Sequence, residues 1–381
     1  MAAWQARPVL TPMFFTPRYL KEGRETFKAA RKLLDYQRDL LAAEEIGEIE
    51  GEIRALGQAL KARDPEGVKA VSTRLEAHFH RIAPPRPFAG LRENCEVFLV
   101  AIVIAIGVRT YFLQPFTIPT GSMQPTLNGI IAHVTGEEPP GVPRQVAEFA
   151  LLGRDYVNVV SARDDELLEV REVKKFRFFT FSEIVCRNQK FTVHVPANKL
   201  VRDFGLEPGR RFASGEVIAR GYVDTGDHVF VDKLSYHFRS PRRGEIFVFN
   251  TGNIAGLTRP GEPSQFYIKR LAGLPGDTLR IDPPDLYVNG EKATEPGFLR
   301  VMSAEDGYRG YSNAASQGRH FPFLGYPDQT FSVGPGHYFA LGDNSYDSLD
   351  SRSWRTVPEQ NLTGRGLFVY WPFTSHWGFM K

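Results

Sequence analysis

Val97-Phe98-Leu99-Val100-Ala101-Ile102-Val103-Ile104-Ala105-Ile106-Gly107-Val108 is the stretch that divides this chain. Before it the sequence reads as helix, and after it as short strands. Arg109 and Thr110 lead on into Tyr111-Phe112-Leu113 before Pro115. An uninterrupted apolar run of about 12 residues fits a buried core helix. Counted through Leu113 it reaches about 17 residues, roughly 25 Å of helix and the thin end of what crosses a bilayer. Arg109 lies near the far end, where its long stem can snorkel, and Tyr111 and Phe112 suit a membrane–water boundary. Pro115 would end the helix. One transmembrane helix over 96–114 is therefore expected.

Basic residues orient it. Arg81, Arg86 and Arg92 precede the span, and beyond Arg109 no Lys or Arg occurs until Arg144. The positive-inside rule puts residues 1–95 in the cytoplasm and the rest outside, as a single-pass protein with its N-terminus inside. The span starts too far along the chain to be a cleaved signal peptide. The apolar Met13-Phe14-Phe15 is too short to span, and Pro12 and Pro17 bracket it.

Upstream, residues from about 18 to 82 read as helix. Leu33, Leu34, Leu40, Leu41, Ile46, Ile49, Ile53, Leu56 and Leu60 recur mostly three or four apart among Glu, Lys and Arg. Asp64-Pro65 marks a break and a new helix start. A helical hairpin or short coiled-coil arm is expected, followed by a stiff linker at Ala83-Pro84-Pro85-Arg86-Pro87.

Downstream, β-like runs alternate with Gly and Pro turns: Tyr156–Val160, Phe191–Val195, His228–Val231, Ile246–Asn250, Phe266–Leu271, Leu286–Val288, Tyr338–Leu341 and Leu367–Trp371. Asn289-Gly290 is a hairpin-turn signal. The fold class expected is a mostly β ectodomain carried by one N-terminal transmembrane helix and an α-helical arm. Its domains are a cytoplasmic arm and linker at 1–95, an anchor at 96–114 and a catalytic β domain at 115–381.

Lys plus Arg number 47 against 44 Asp plus Glu, and no basic block is interleaved with aromatics, so no nucleic-acid partner is expected. The two cysteines, Cys95 and Cys186, have no metal-ligand spacing around them. Neither a metal site nor a cofactor is expected.

Two local patterns carry chemistry. Phe116-Thr117-Ile118-Pro119-Thr120-Gly121-Ser122-Met123-Gln124-Pro125-Thr126-Leu127 follows the apolar run directly. Pro119 and Pro125 restrict its backbone, and Gly121 lets another chain approach. Taken alone, Ser122 reads as a turn residue. The histidines are scattered and make no triad pattern. Lys269 sits in the apolar, strand-like Tyr267-Ile268-Lys269-Arg270-Leu271-Ala272-Gly273. Period-two alternation puts Tyr267, Lys269 and Leu271 on one face and Ile268 and Arg270 on the other. Desolvation there would favour a neutral amine able to take a serine proton, although an ordinary strand lysine fits the same pattern.

Four segments in a fixed order resolve that choice. The serine segment resembles the serine box of the type I signal (leader) peptidases, bacterial serine–lysine membrane endopeptidases. Gly226-Asp227-His228-Val229-Phe230-Val231-Asp232-Lys233, with Arg243-Gly244-Glu245-Ile246-Phe247-Val248-Phe249 after it, is similar to another of that family's boxes. Tyr267–Leu271 with Gly273-Leu274-Pro275-Gly276-Asp277 is similar to the lysine box, and Gly342-Asp343-Asn344-Ser345-Tyr346-Asp347-Ser348-Leu349-Asp350-Ser351-Arg352 to the last. Together the boxes cover about half of residues 109–371; the N-terminal arm lies outside the resemblance.

By position, the resemblance implies an acylating nucleophile at Ser122 and a general base at Lys269, with Ser348 hydrogen-bonded to the lysine amine. It implies an oxyanion hole from the Ser122 backbone N–H and the Thr120 hydroxyl; such donors contribute roughly 2.7–4 kcal/mol each in comparable sites. Asp350 and Arg352 match a bracing ion pair, Asp343 and Asn344 the turn, and Arg270 the basic residue beside the lysine. Ile118, Met123, Tyr267 and Ile268 fall where the family lines shallow pockets for small P1 and P3 side chains. The implied task is removal of signal peptides from exported preproteins at the bacterial cytoplasmic (inner) membrane. The implied partners are those preproteins, the phospholipid membrane and a nearby export translocon.

Two features depart from the pattern. Ser345-Tyr346-Asp347 replaces the residues many relatives carry before the box serine. Ser122 and Lys269 also lie 147 residues apart, longer than in compact members. Residues from about 136 to 220, including Lys174-Lys175-Phe176-Arg177, read as an inserted module of no evident function. Two alternatives stay open: a self-cleaving regulator of the related serine–lysine repressor type, and an inactive homologue serving as a membrane scaffold.

Overall fold

The structure, a computed structural model, describes residues 17–82, 88–175, 179–257, 263–318 and 320–380. Met13–Phe15, the 83–87 linker and Phe176–Arg177 of the basic patch lie outside the described residues. Two compact units divide the chain, Met1–Ala101 and Ile102–Lys381.

The first unit holds three packed helices rather than a hairpin: α1 (Arg18–Gln37), α2 (Ala43–Ala62) and α3 (Pro65–Ile82). Ala30, Leu34, Ile49, Ile53, Leu56, Val68, Val71 and Leu75 form their core. The Asp64-Pro65 break is present, with Arg63 left-handed at the end of α2. A second break at Leu41 and Ala42 carries no Gly or Pro and was invisible to periodicity. It leaves Leu40, one of the periodic residues, 80% exposed. Gly23 sits where helices touch: a Cβ there would lie 2.6 Å from Val68 Cγ1 and 2.9 Å from Leu60 Cδ2.

The dividing stretch is helical, as α4 (Ala89–Tyr111). Val97, Phe98, Leu99, Val100, Val103, Ile104 and Ile106 are all exposed. Among the described residues no helix is long and apolar enough to cross a membrane. The expected span over 96–114 counted residues that do something else: the helix ends at Tyr111, and Leu113–Thr117 is a strand paired with His228–Asp232. The uncharged core of α4, Val97–Val108, measures only about 18 Å. Pro115 does not terminate a helix; it sits in an edge strand, where a missing N–H is tolerated.

The second unit is β-rich, and its main sheet is antiparallel throughout. Its neighbours run Leu113–Thr117, His228–Asp232, Leu362–Trp371, Ile246–Asn250, Phe266–Gly273, His337–Leu341, Val357–Pro358, with Gly378–Phe379 beside Leu362–Trp371. Ile246–Asn250 shows why a near-continuous apolar run becomes a central strand. Ile246 and Val248 pack with Val229, Val231, Met123 and Leu127, whereas Phe247 and Phe249 pack with Leu271, Tyr338 and Trp354. Both faces are therefore buried, at period two. A smaller sheet of Glu291–Lys292, Asp285–Val288, Thr278–Asp282 and Thr330–Ser332 follows. Asn289 and Gly290, both at positive φ, close its hairpin as expected.

The long interval before Lys269 is also explained. Asp227 N–H donates to the Asn128 carbonyl at 2.8 Å, and Asn128 N–H to Asp227 Oδ2 at 2.7 Å. The chain thus leaves and re-enters the main sheet's domain at one point. Between these residues lie two small sheets around a core that includes Val157, Leu167, Ile184, Leu200, Phe212 and Ile218. The expected boundaries, about 136–220, fall several residues inside this closure. Cys186 is buried and Cys95 exposed, both as free thiols.

Candidate active site

Three elements converge on Ser122. Ser122 itself lies in a single 3-10 turn, Gly121–Met123, directly after the edge strand Leu113–Thr117. Met123 and Leu127 are fully buried beneath it, so the loop is pinned by its own apolar side chains. Asn344 N–H donates to the Ser122 carbonyl and Asn344 Nδ2 to the Gly121 carbonyl, each at 3.1 Å. Asp227 ties the loop's other end, and His376 Nδ1 lies 2.8 Å from Asp227 Oδ2.

Lys269 comes from the strand Phe266–Gly273, where it stands opposite Phe247. Its Nζ is 2.5 Å from Ser122 Oγ and 5.5 Å from the Tyr267 ring centre. Both members of the pair are buried, Ser122 at 6% and Lys269 at 4% exposure. Burial pushes the lysine amine down to about 8, against the opposing pull of Asp350 and Asp343, while Arg352 adds to the decrease.

Two buried ion pairs hold the surroundings. Arg270 Nε donates to Asp343 Oδ1 at 2.8 Å and its Nη2 to Oδ2 at 2.5 Å. Burial opposes the Arg270 charge, yet Asp343 more than offsets it and holds the guanidinium above its ordinary value. Arg352 grips Asp350 in the same two-pronged way, Nε and Nη2 each at 2.8 Å. It also reaches the Ser312 and Ser345 carbonyls at 2.7 and 2.6 Å. All four side chains are at most 1% exposed, where a fully bonded pair is tolerated and a broken one is costly.

Several expected placements differ. Ser348 is buried beside the pair, but its hydroxyl has no hydrogen-bond partner among the described residues, so the expected bond to the lysine amine is not made. Gly342 packs on Ser348, and a Cβ there would lie 2.5 Å from the Ser122 carbonyl oxygen. Ile118 and Met123 belong to the core under the loop, at 3% and 0% exposure. They do not line the cleft, because the loop turns them towards Val229 and Val231. Tyr267 and Ile268 do line it, as does Thr120.

That cleft has a volume of about 690 Å³ and holds Ser122, Lys269 and Ser348. Ile130, Ile131, Ala132 and Leu349 supply apolar lining that sequence reading missed. So do Asn198, Lys199, Arg202 and Asp203 from the intervening module, which no local pattern marked. No cluster of metal-ligating side chains occurs among the described residues.

Comparison with known proteins agrees with the family resemblance. The model of the family "Signal peptidase, peptidase S26" matches residues 220–371. Signal peptidase I of Pseudomonas aeruginosa is 31% identical over 208 residues, covering 45% of this chain and 68% of that protein. Signal peptidase I T of Bacillus subtilis is 32% identical over 176 residues, covering 46% and 78%. A crystal structure of a signal peptidase I from Enterococcus faecalis matches at 25% identity over 33% of this chain and 97% of that one, with a TM-score of 0.24. With relatives above 30% identity matched over more than two thirds of their length, this chain belongs to the signal peptidase I family of S26 serine peptidases, enzymes that remove signal peptides.

Proposed function

We propose that signal-peptide removal runs through a Ser122–Lys269 dyad and an acyl-enzyme. The observation that carries this reading is the 2.5 Å approach of a buried, charge-depleted amine to a serine hydroxyl. Neutral Lys269 takes the Ser122 proton as Oγ attacks the scissile carbonyl carbon. The resulting oxyanion lies against the Ser122 backbone N–H and the Thr120 hydroxyl. Collapse breaks the C–N bond, and the Lys269 ammonium gives its proton to the departing amine. Neutral Lys269 then deprotonates a water that attacks the ester, and the proton returns to Ser122 Oγ as the signal peptide leaves.

The strand edge beside the dyad suits an extended substrate. Residues 266–269 pair with residues 247–250 on one side, whereas pairing with His337–Leu341 on the other begins only at Arg270. The open edge offers backbone hydrogen bonds to a peptide chain. Tyr267, Ile268, Ile130, Ile131 and Ala132 narrow the cleft and favour small P1 and P3 side chains. Asn344 and the Asp343–Arg270 and Asp350–Arg352 pairs act as positioning groups, and Ser348 orients the lysine amine once the cleft is filled.

In the cell, α4 embeds its exposed apolar side chains in the inner membrane and keeps the catalytic domain from 115, interrupted by the inserted module, close to the translocon. Apolar side chains exposed all round a helix support this reading. Mass spectrometry of one preprotein incubated with detergent-solubilised protein tests the proposal. A single cut after a small-x-small sequence is expected, lost in Ser122→Ala; cleavage persisting in that variant overturns the dyad.

A further inference from the structure

The module between Asn128 and Asp227 turns one helix towards the cleft. This helix, Ala197–Arg202, is anchored by Leu200, fully buried, with Phe204 one turn on at 7% exposure, both in the module's core. Lys199, Arg202 and Asp203 are three and four residues apart and share another face. They line the same cleft as Ser122 and Lys269. Their charges are not balanced. Lys199 Nζ lies 3.2 Å from Asp203 Oδ2, so these two cancel. Arg202 is exposed, and its guanidinium makes no ion pair or hydrogen bond among the described residues. The other exposed charge lining the cleft is Asp347, in the turn before Ser348.

We infer that the inserted module is a specificity element, in which Arg202 reads an acidic side chain close to the scissile bond of the substrate. The inference rests on the Ser122–Lys269 reading, since it takes this cleft as the substrate's path. A guanidinium fork fits a carboxylate in two parallel hydrogen bonds. Its anchored helix fixes where that carboxylate must lie. The site is solvent-facing, so its contribution is modest and screened by salt. Small P1 and P3 pockets cannot supply this preference, because they select size and not charge.

The test uses full-length protein in detergent and preproteins carrying Glu, Gln or Lys, one position at a time, on either side of the cleavage site. For at least one position, kcat/KM for Glu should exceed that for Lys by about fivefold. Arg202→Gln should bring that ratio to about one, and Arg202→Glu should invert it, with the Gln substrate changed by less than about twofold. Raising the salt should shrink the preference in the native protein. A ratio unchanged in Arg202→Glu at every position overturns the inference. So does an equal loss on all three substrates, which marks a structural role. Ser122→Ala should process none of them; cleavage there overturns the dyad instead, so the two failures read differently.

Discussion

Lys269 Nζ and Ser122 Oγ stand 2.5 Å apart across 147 residues of intervening chain. Among the described residues neither side chain makes another hydrogen bond: Lys269 stands 5.5 Å from the Tyr267 ring centre, with the Asp343–Arg270 and Asp350–Arg352 pairs around it, and the serine turn is held through its backbone by Asn344. The pair is held from behind, and the reacting atoms are left to each other.

Substitution at either member should therefore remove activity without unfolding the protein. Ser122→Ala and Lys269→Ala are each expected to lower kcat/KM by about 10²–10⁴-fold or more. Lys269→Arg should be as inactive as Lys269→Ala, because a guanidinium keeps its proton at any accessible pH. Preprotein cleavage on gels reads the rate, and a melting curve confirms the fold.

The base sets the pH profile. The Lys269 amine is lowered to about 8 by burial, so the competent neutral form is about a tenth of the population at pH 7 and dominates above 8. kcat/KM should rise with pH through about 8 and then level. The same shift bears on stability: between about 8 and the ordinary lysine range near 10.4 the unfolded chain binds more protons, so Lys269 makes stability rise with pH across that window. A rate flat from pH 6 to 9 would contradict the assignment.

Asp350→Asn should act on both stability and profile. It leaves the Arg352 charge unpaired in a site with no solvent, a loss of about 3–5 kcal/mol by denaturant titration. It also removes the foremost group that raises the Lys269 amine while leaving Arg352, which lowers it. The midpoint of the pH–rate profile should move below that of the native protein.

Gly342→Ala tests how tightly the last box braces the nucleophile. The added methyl would meet Ser348 Oγ and come within 2.5 Å of the Ser122 carbonyl oxygen. Moving that backbone by even an ångström is expected to cost about 10²-fold in kcat, with KM far less affected. Steady-state kinetics on a peptide substrate separate the two.

Membrane attachment is checked at α4. Ile102→Lys with Ile106→Lys places two charges in its apolar run, each worth about 2.5–3.5 kcal/mol against insertion. Flotation with phospholipid vesicles should fall sharply in the double variant, while cleavage of a short soluble peptide persists.

The sequence alone determined the helical arm, the apolar divide, eight strand positions and the Asn289-Gly290 turn, because these follow from local periodicity and turn chemistry. The order of the boxes also singled out Ser122 and Lys269, which the fold brings within hydrogen-bond distance. The sequence misjudged Leu113–Thr117, where an apolar segment continuing a helix pattern is drawn into a strand by pairing with His228–Asp232. It misplaced Ile118 and Met123 in the substrate pockets, since their burial depends on which way a single turn faces. Only tertiary structure decided that Asp227 closes the module against Asn128, that Arg270 pairs with Asp343, and that Arg202 enters the cleft. Each depends on contacts between residues far apart in the chain, and no local periodicity encodes those. The lowered charge of Lys269 is of the same kind: the residue supplies an amine, and the fold that surrounds it removes the water that would keep it protonated.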